Sequence, residues 1–164
     1  DAICELYKKG IIAGKGDMRF MPDEKITRAE FVKMLCILNN AEVGGAEEIF
    51  SDVSRDDWYF EYVGAGVKYG WIKGVDAEHF APDSYISRQD ICTVLYRMGG
   101  TEKAEGAEFS DSADISEYAK EAVMSLTAKN ILKGFPDGSF RPKESSTRAQ
   151  AATLLYGFYK LGKK

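Results

Sequence analysis

Ile26-Thr27-Arg28-Ala29-Glu30 returns as Ile86-Ser87-Arg88-Gln89-Asp90 and again as Ser146-Thr147-Arg148-Ala149-Gln150. The three arginines stand at intervals of 60 residues. A second phrase keeps the same register upstream: Gly10-Ile11-Ile12-Ala13-Gly14, Gly70-Trp71-Ile72-Lys73-Gly74 and Asn130-Ile131-Leu132-Lys133-Gly134. Phe20, Phe80 and Phe140 hold the spacing, as do Pro22, Pro82 and Pro142. Several columns kept at one period over three copies make the chain an internal repeat. Fold and function are therefore properties of one unit used three times.

Each copy of the first phrase reads as a helix start. Thr27 is a good N-cap, and Glu30 three residues later completes a capping box; Asp90 is a weaker partner for Ser87, and Thr147 caps the last helix. Behind the caps run apolar stripes: Phe31, Leu35 and Leu38; Ile91, Leu95 and Met98; Ala151, Leu155 and Phe158. Asn39-Asn40 and Gly99-Gly100 end the first two of these helices. A second helix precedes each loop, over Asp1 to Gly10, Trp58 to Tyr69 (capped by Asp57) and about Ile115 to Ala128. Gly64 and Gly66 weaken the middle one by roughly 1 kcal/mol each relative to alanine, which implies a backbone packed closely against them. The Phe-x-Asp segments at Phe50 and Phe109 add short extended or turn-like pieces. The expected class is all-α, with three helix-loop-helix repeats around a pseudo-threefold or solenoid core. One module over 1–164 divides into repeats at about 1–45, 46–105 and 106–164, with Glu42–Glu48 and Gly99–Gly106 as linkers. A unit of about 60 residues buries too little surface to stand alone, so the repeats share a core.

Composition narrows the function. A formal charge of −4 and a pI near 5.2 argue against general nucleic-acid binding. No apolar run approaches the roughly 18 residues of a membrane span. No signal peptide is recognised, and because the sequence opens at Asp1 the expectation is that a leader or upstream domain has been removed. Cys4, Cys36 and Cys92 occupy different repeat columns, so neither a disulfide framework nor a zinc site is expected. His79 is the single histidine, with Arg19 and Ser139 in its column, which leaves no repeated histidine chemistry. Asp56-Asp57 reads as a capping pair, and Asp137-Gly138-Ser139 lacks the further acidic ligands of a calcium loop. The chain is expected to be no enzyme, with no metal and no cofactor.

The arginines are the anomaly. A helix N-terminus carries partial positive charge, so a cation there is unfavourable by roughly 0.3–1 kcal/mol. Two readings follow. The arginines brace the stack by pairing with Glu30, Asp90 or other carboxylates, or they join free helix-start N–H groups in a carboxylate or phosphate cradle. Gly14, Gly74 and Gly134 either let a ligand approach the main chain or supply positive φ in a turn. Trp58 and Tyr118, which share a column, suit a core anchor or a stacking platform for a sugar. Asp52 and Asp111, two residues after Phe50 and Phe109, read most simply as turn or cap residues.

Phe50-x-Asp52, Trp58, Gly70-x-Ile72-x-Gly74, Phe80-x-Pro82 and Ile86-Ser87-Arg88-Gln89-Asp90 together resemble one S-layer homology repeat. Ile26-Thr27-Arg28-Ala29-Glu30 is closer still to that family's signature. The resemblance covers essentially the whole chain, as one truncated and two complete copies. It implies a pseudo-threefold bundle at the outer surface of a bacterium, covalently joined to a cargo domain. Such a bundle anchors a surface protein or extracellular enzyme non-covalently to a secondary cell-wall polysaccharide, often through pyruvate ketals on an amino sugar. It also implies grooves between repeats, with the arginine from one side and Trp and Asp from the start of the next copy. Arg28 would then face Trp58 and Asp52, and Arg88 would face Tyr118 and Asp111. Arg148 would face a first repeat that lacks its opening, so two competent grooves and one weak one are expected. Ser146 and Gln150 weaken the third copy further. A self-assembly module acting through protein–protein contacts, without glycan binding, is the alternative.

Overall fold

The computed structural model describes residues 2–14, 19–99 and 108–162. The linker residues beyond Gly99 and the loop residues 15–18, read above as linker and turn, lie outside them. The described residues form six α-helices: α1 (Ala2–Lys8), α2 (Arg28–Leu38), α3 (Phe60–Lys68), α4 (Arg88–Gly99), α5 (Glu117–Ala128) and α6 (Arg148–Leu161). The described residues contain no strand beyond isolated bridges, so the class is all-α. None of their helices is long and apolar enough to cross a membrane.

Local chemistry sets the helix limits. Thr27 Oγ1 accepts the Glu30 N–H at 3.2 Å while Glu30 Oε2 accepts the Thr27 N–H at 3.1 Å. Thr147 and Gln150 repeat this box. In the middle copy, the carboxylate of Asp90 instead accepts from the Ser87 hydroxyl at 2.6 Å, as suits its shorter side chain. α3 starts at Phe60, later than the expected Trp58, because the Asp57 carboxylate accepts the Ser54 N–H at 2.8 Å and closes a turn first. α5 likewise starts at Glu117, after a single 3-10 turn over Ser112–Asp114. The first helix of each repeat ends in the left-handed region, at Gly10 (φ 69), Gly70 (φ 73) and Asn130 (φ 55). The following residue then reaches back to the helix, with Ile11 N–H on Leu6 O at 3.0 Å, Trp71 on Gly66 O at 2.9 Å and Ile131 on Leu126 O at 3.0 Å.

The helices pair between repeats. α2 packs on α3, α4 on α5, and α6 on α1, so the last repeat closes onto the first. Around the axis, Ile86 N–H bonds Ile26 O at 3.1 Å, Ser146 N–H bonds Ile86 O at 2.9 Å, and Ile26 N–H bonds Ser146 O at 3.1 Å. This three-membered ring makes the arrangement a closed pseudo-threefold bundle and not an open solenoid. Phe31, Leu35, Ile91, Leu95, Ala151, Leu155, Phe80 and Phe140 fill the interior with no exposed surface. A Cβ on Gly64 would strike Ala46 of the first linker, the close backbone expected there. Gly66 is confined instead by the Ile72 and Val32 side chains.

Two predictions come from the closure. Ser146 is fully buried, and its hydroxyl has no hydrogen-bond partner where the other copies place Ile26 and Ile86. Ser146→Ala should raise stability by about 1 kcal/mol in urea denaturation, since a buried unsatisfied polar group costs about 1–3 kcal/mol; a loss would show that the hydroxyl contributes. Glu5 on α1 accepts from the Tyr156 hydroxyl of α6 at 2.8 Å, and Lys160 Nζ lies 3.6 Å away. The Tyr156 bond, more than the lysine charge, holds the Glu5 carboxyl below its ordinary range. A carboxyl depressed in the folded state stabilises it above the unfolded pKa, and that contribution disappears as pH falls through the folded value. The urea midpoint should drop as pH is lowered below the ordinary carboxylate range, and drop less in Glu5→Gln.

Candidate functional site

At each helix start the first two N–H groups are already taken by the next repeat. Arg28 N–H bonds Ser84 O at 2.9 Å and Ala29 N–H bonds Pro82 O at 3.0 Å. Arg88 and Gln89 do the same with Glu144 O and Pro142 O, and Arg148 and Ala149 with Glu24 O and Pro22 O. A left-handed residue before each proline, Met21 (φ 53), Ala81 (φ 57) or Arg141 (φ 57), turns the loop so that these carbonyls face the neighbouring helix. The free N–H cradle expected from sequence is therefore filled by protein.

The guanidinium groups also reach the next repeat. Arg28 Nε donates to Phe80 O at 2.8 Å and Nη2 to Lys73 O at 3.0 Å. Arg88 Nε donates to Phe140 O at 2.7 Å; Arg148 donates to Phe20 O at 2.8 Å and Ala13 O at 2.7 Å. Each lies over the ring of that phenylalanine, 4.7 Å from Phe80 and 5.1 Å from both Phe140 and Phe20. Carbonyl dipoles and ring faces thus supply the negative partner. The bracing reading holds with main-chain acceptors in place of carboxylates, apart from Glu30, which lies 4.0 Å from Arg148 Nη1. Burial pushes the Arg28 and Arg88 guanidinium groups below their ordinary pKa.

The same phenylalanines are held from their N–H side by their own repeat. Asp52 accepts from Phe80 N–H at 2.8 Å and Ala81 N–H at 2.7 Å. Asp111 accepts from Phe140 N–H at 2.8 Å and Arg141 N–H at 2.7 Å. The turn reading of both aspartates matches this geometry. The positive-φ turn reading of Gly74 and Gly134 fails, since neither has positive φ. A Cβ on Gly74 would meet His79 O at 2.6 Å and Phe50 at 2.7 Å, and one on Gly134 would meet Phe109 at 2.7 Å. These glycines let the loop fold on itself; Gly14 follows Ala13, whose carbonyl holds Arg148.

Grooves open beside two of the seated arginines, Arg28 and Arg88. One cavity of about 340 Å³ is lined by Arg28, Lys73, Asp90, Arg97 and Tyr118 among others. Arg28 therefore shares its groove with Tyr118 and not with the expected Trp58. Trp58 instead lies with Lys33 Nζ 5.5 Å from its ring, one turn along α2 from the Glu30 that neighbours Arg148. In repeat register this matches the placing of Tyr118 beside Asp90. Tyr118 of the third copy thus lines one groove with Arg28 of the first, because helices pair across repeat boundaries. A second cavity of about 480 Å³ holds Arg88, Lys133, Gly134, Phe135, Gln150 and Tyr156, with neither Trp58 nor Tyr118. Phe135 there lies 4.7 Å from the Arg88 guanidinium and 4.1 Å from that of Arg141. Arg148, expected to be the weak copy, is seated as fully as the others.

Sequence reading missed Gln89. Its amide donates to Tyr118 Oη at 2.9 Å and Ser116 Oγ at 3.0 Å, and its carbonyl accepts the Ser116 N–H at 3.0 Å. The Tyr118 hydroxyl in turn donates to Asp90 at 2.8 Å. Burial first, then the Asp90 contact, pushes the phenol up to about 12. The available signal was compositional: Gln89 is the one large polar residue in a column otherwise filled by Ala29 and Ala149.

Arg88→Ala and Arg148→Ala should each cost about 1–3 kcal/mol in urea denaturation, the range for orphaning a buried acceptor. Wild-type stability in Arg148→Ala would show that the third repeat is not locked onto the first.

A model of the S-layer homology domain family matches residues 1–32, 49–92 and 108–152. An exoglucanase of Acetivibrio thermocellus is 34% identical over 163 residues, covering 96% of this chain and 15% of the enzyme. A surface-layer 125 kDa protein of Lysinibacillus sphaericus is 29% identical over 82% of the chain and 11% of its own length. A cellulosome-anchoring protein of Acetivibrio thermocellus is 28% identical over 83% of the chain and 32% of its own length. The chain thus spans a small part of these relatives. The matched segments cover most of the chain, including all three arginine phrases, and the chain belongs to the S-layer homology domain family.

Proposed function

We propose that this module anchors a bacterial surface protein or extracellular enzyme to the cell wall by holding an anionic, pyruvylated secondary cell-wall polysaccharide in its inter-repeat grooves. The observation that carries the reading is the Arg28 groove, where a cation fixed by two carbonyl bonds shares one cavity with Lys73 and the half-exposed Tyr118 ring. A guanidinium has five N–H donors, and those not used on Phe80 and Lys73 are available to a carboxylate. An aromatic face beside a fixed cation suits an acidic sugar, whose ring stacks while its carboxylate pairs. The chemistry is capture without bond-making, and no acid–base pair is required. Relatives named as anchoring, surface-layer and polysaccharide-degrading proteins fit a module that carries different cargo to one place outside the cell.

The test is calorimetric titration with a pyruvylated fragment of the wall polymer beside its de-pyruvylated form. Binding should be confined largely to the pyruvylated form. Arg28→Ala should weaken it by about 2–5 kcal/mol, the range for losing one partner of a desolvated charged pair. Tyr118→Ala should weaken it with less effect on melting. Equal binding of both fragments would remove the carboxylate–arginine mechanism, and concentration-dependent oligomers without affinity for sacculi would favour self-assembly.

A further inference from the structure

The Arg28 groove carries a charge that the corresponding columns of the other copies lack. Arg97 of α4 lines this cavity, whereas its column holds Ile37 in the first copy and Gly157 in the third. Arg97 is exposed and makes no hydrogen bond or ion pair among the described residues. Asp90, Val94 and Arg97 recur at i, i+4 and i+7, so they share one face of α4. Arg97 lies about 10 Å further along the axis than Asp90, at 1.5 Å per residue.

The charges of the cavity do not cancel. Asp90 is its only acidic lining residue, and its carboxylate already accepts from the Ser87 and Tyr118 hydroxyls. Against it stand Arg28, Lys73 and Arg97. In the Arg88 cavity only Arg88 and Lys133 are charged. The Tyr118 wall is also fixed in place, since Gln89 and Asp90 engage both sides of its hydroxyl. The groove is therefore a held surface with Arg28 fixed on one wall and Arg97 about two helical turns along α4 from Asp90.

We infer that the Arg28 groove recognises an acidic oligosaccharide through two anionic groups on different sugar residues, the first on Arg28 and the second on Arg97. The inference rests on the glycan-binding reading above and adds to it the charge pattern of the ligand. Arg97 is a specificity residue: its exposed guanidinium favours a doubly charged chain over a singly charged one, in a way that salt screens.

Two probes decide it by calorimetry at low and high salt. They are a trisaccharide of the wall polymer with one pyruvate ketal, and the same trisaccharide with ketals on two residues. The wild type should bind the second about fivefold more tightly at low salt, near the upper limit for an exposed ion pair. Arg97→Gln should abolish that difference, weakening the double-ketal probe about fivefold more than the single-ketal one. A preference that survives in Arg97→Gln overturns the assignment of Arg97. Equal wild-type binding of the two probes overturns the two-anion pattern but leaves glycan binding standing. Binding of neither probe overturns both readings.

Discussion

The architecture depends on one contact made three times: an arginine at a helix start donating to the phenylalanine carbonyl of the next repeat. The peptide that follows the phenylalanine is gripped on both sides where the copy is complete, by Asp52 or Asp111 on the N–H of Ala81 or Arg141 and by Arg28 or Arg88 on the C=O. A carbonyl left unpaired in the interior is costly, so the loop cannot relax without exposing it. Each repeat supplies the donors for one neighbour and the acceptors for the other. No repeat is complete without its successor, which explains why such small units share one core.

The grooves follow from this lock. Because the arginine is fixed by the neighbouring loop, its cationic head is presented between repeats and not on a mobile arm. Lost side-chain freedom is a large part of the cost of binding, and here the folded bundle has already imposed much of it. Under the proposed glycan reading, the same lock makes binding and stability hard to separate at the arginines. The outer residues of the groove, Tyr118 and Arg97, are exposed and distinguish the two roles more cleanly.

Much of the fold was legible in the sequence. The 60-residue period, the caps at Thr27 and Thr147 and the stripes through Leu35, Leu95 and Leu155 announced the inner helices and their burial. The arginine anomaly correctly indicated a missing negative partner. Its identity was not legible, because a backbone carbonyl carries no residue type and leaves no trace in composition. Nor does a column number say which neighbour a side chain meets: Tyr118 reaches Arg28 only because the helices pair across repeat boundaries. Gly74 and Gly134 carry a packing constraint that no column could show. The obstacle to a Cβ there is the loop's own carbonyls and a phenylalanine ring from the same copy. Gln89 stood out only as a departure from alanine, a signal too weak to suggest a clamp on Tyr118.

The ring of main-chain bonds through Ile26, Ile86 and Ser146 has an implication for how such a protein can change. A linear stack of repeats grows or shrinks by whole units and needs special ends to shield its outer faces. A closed ring has no outer faces of that kind, and its membership is fixed by the angle each unit turns through. A fourth copy would find no vacancy, and loss of one would leave two unmatched edges. Change is therefore confined to the residues within each copy, and equivalent positions free to diverge under one fixed geometry give surroundings of different character, as the Arg28 and Arg88 cavities already differ.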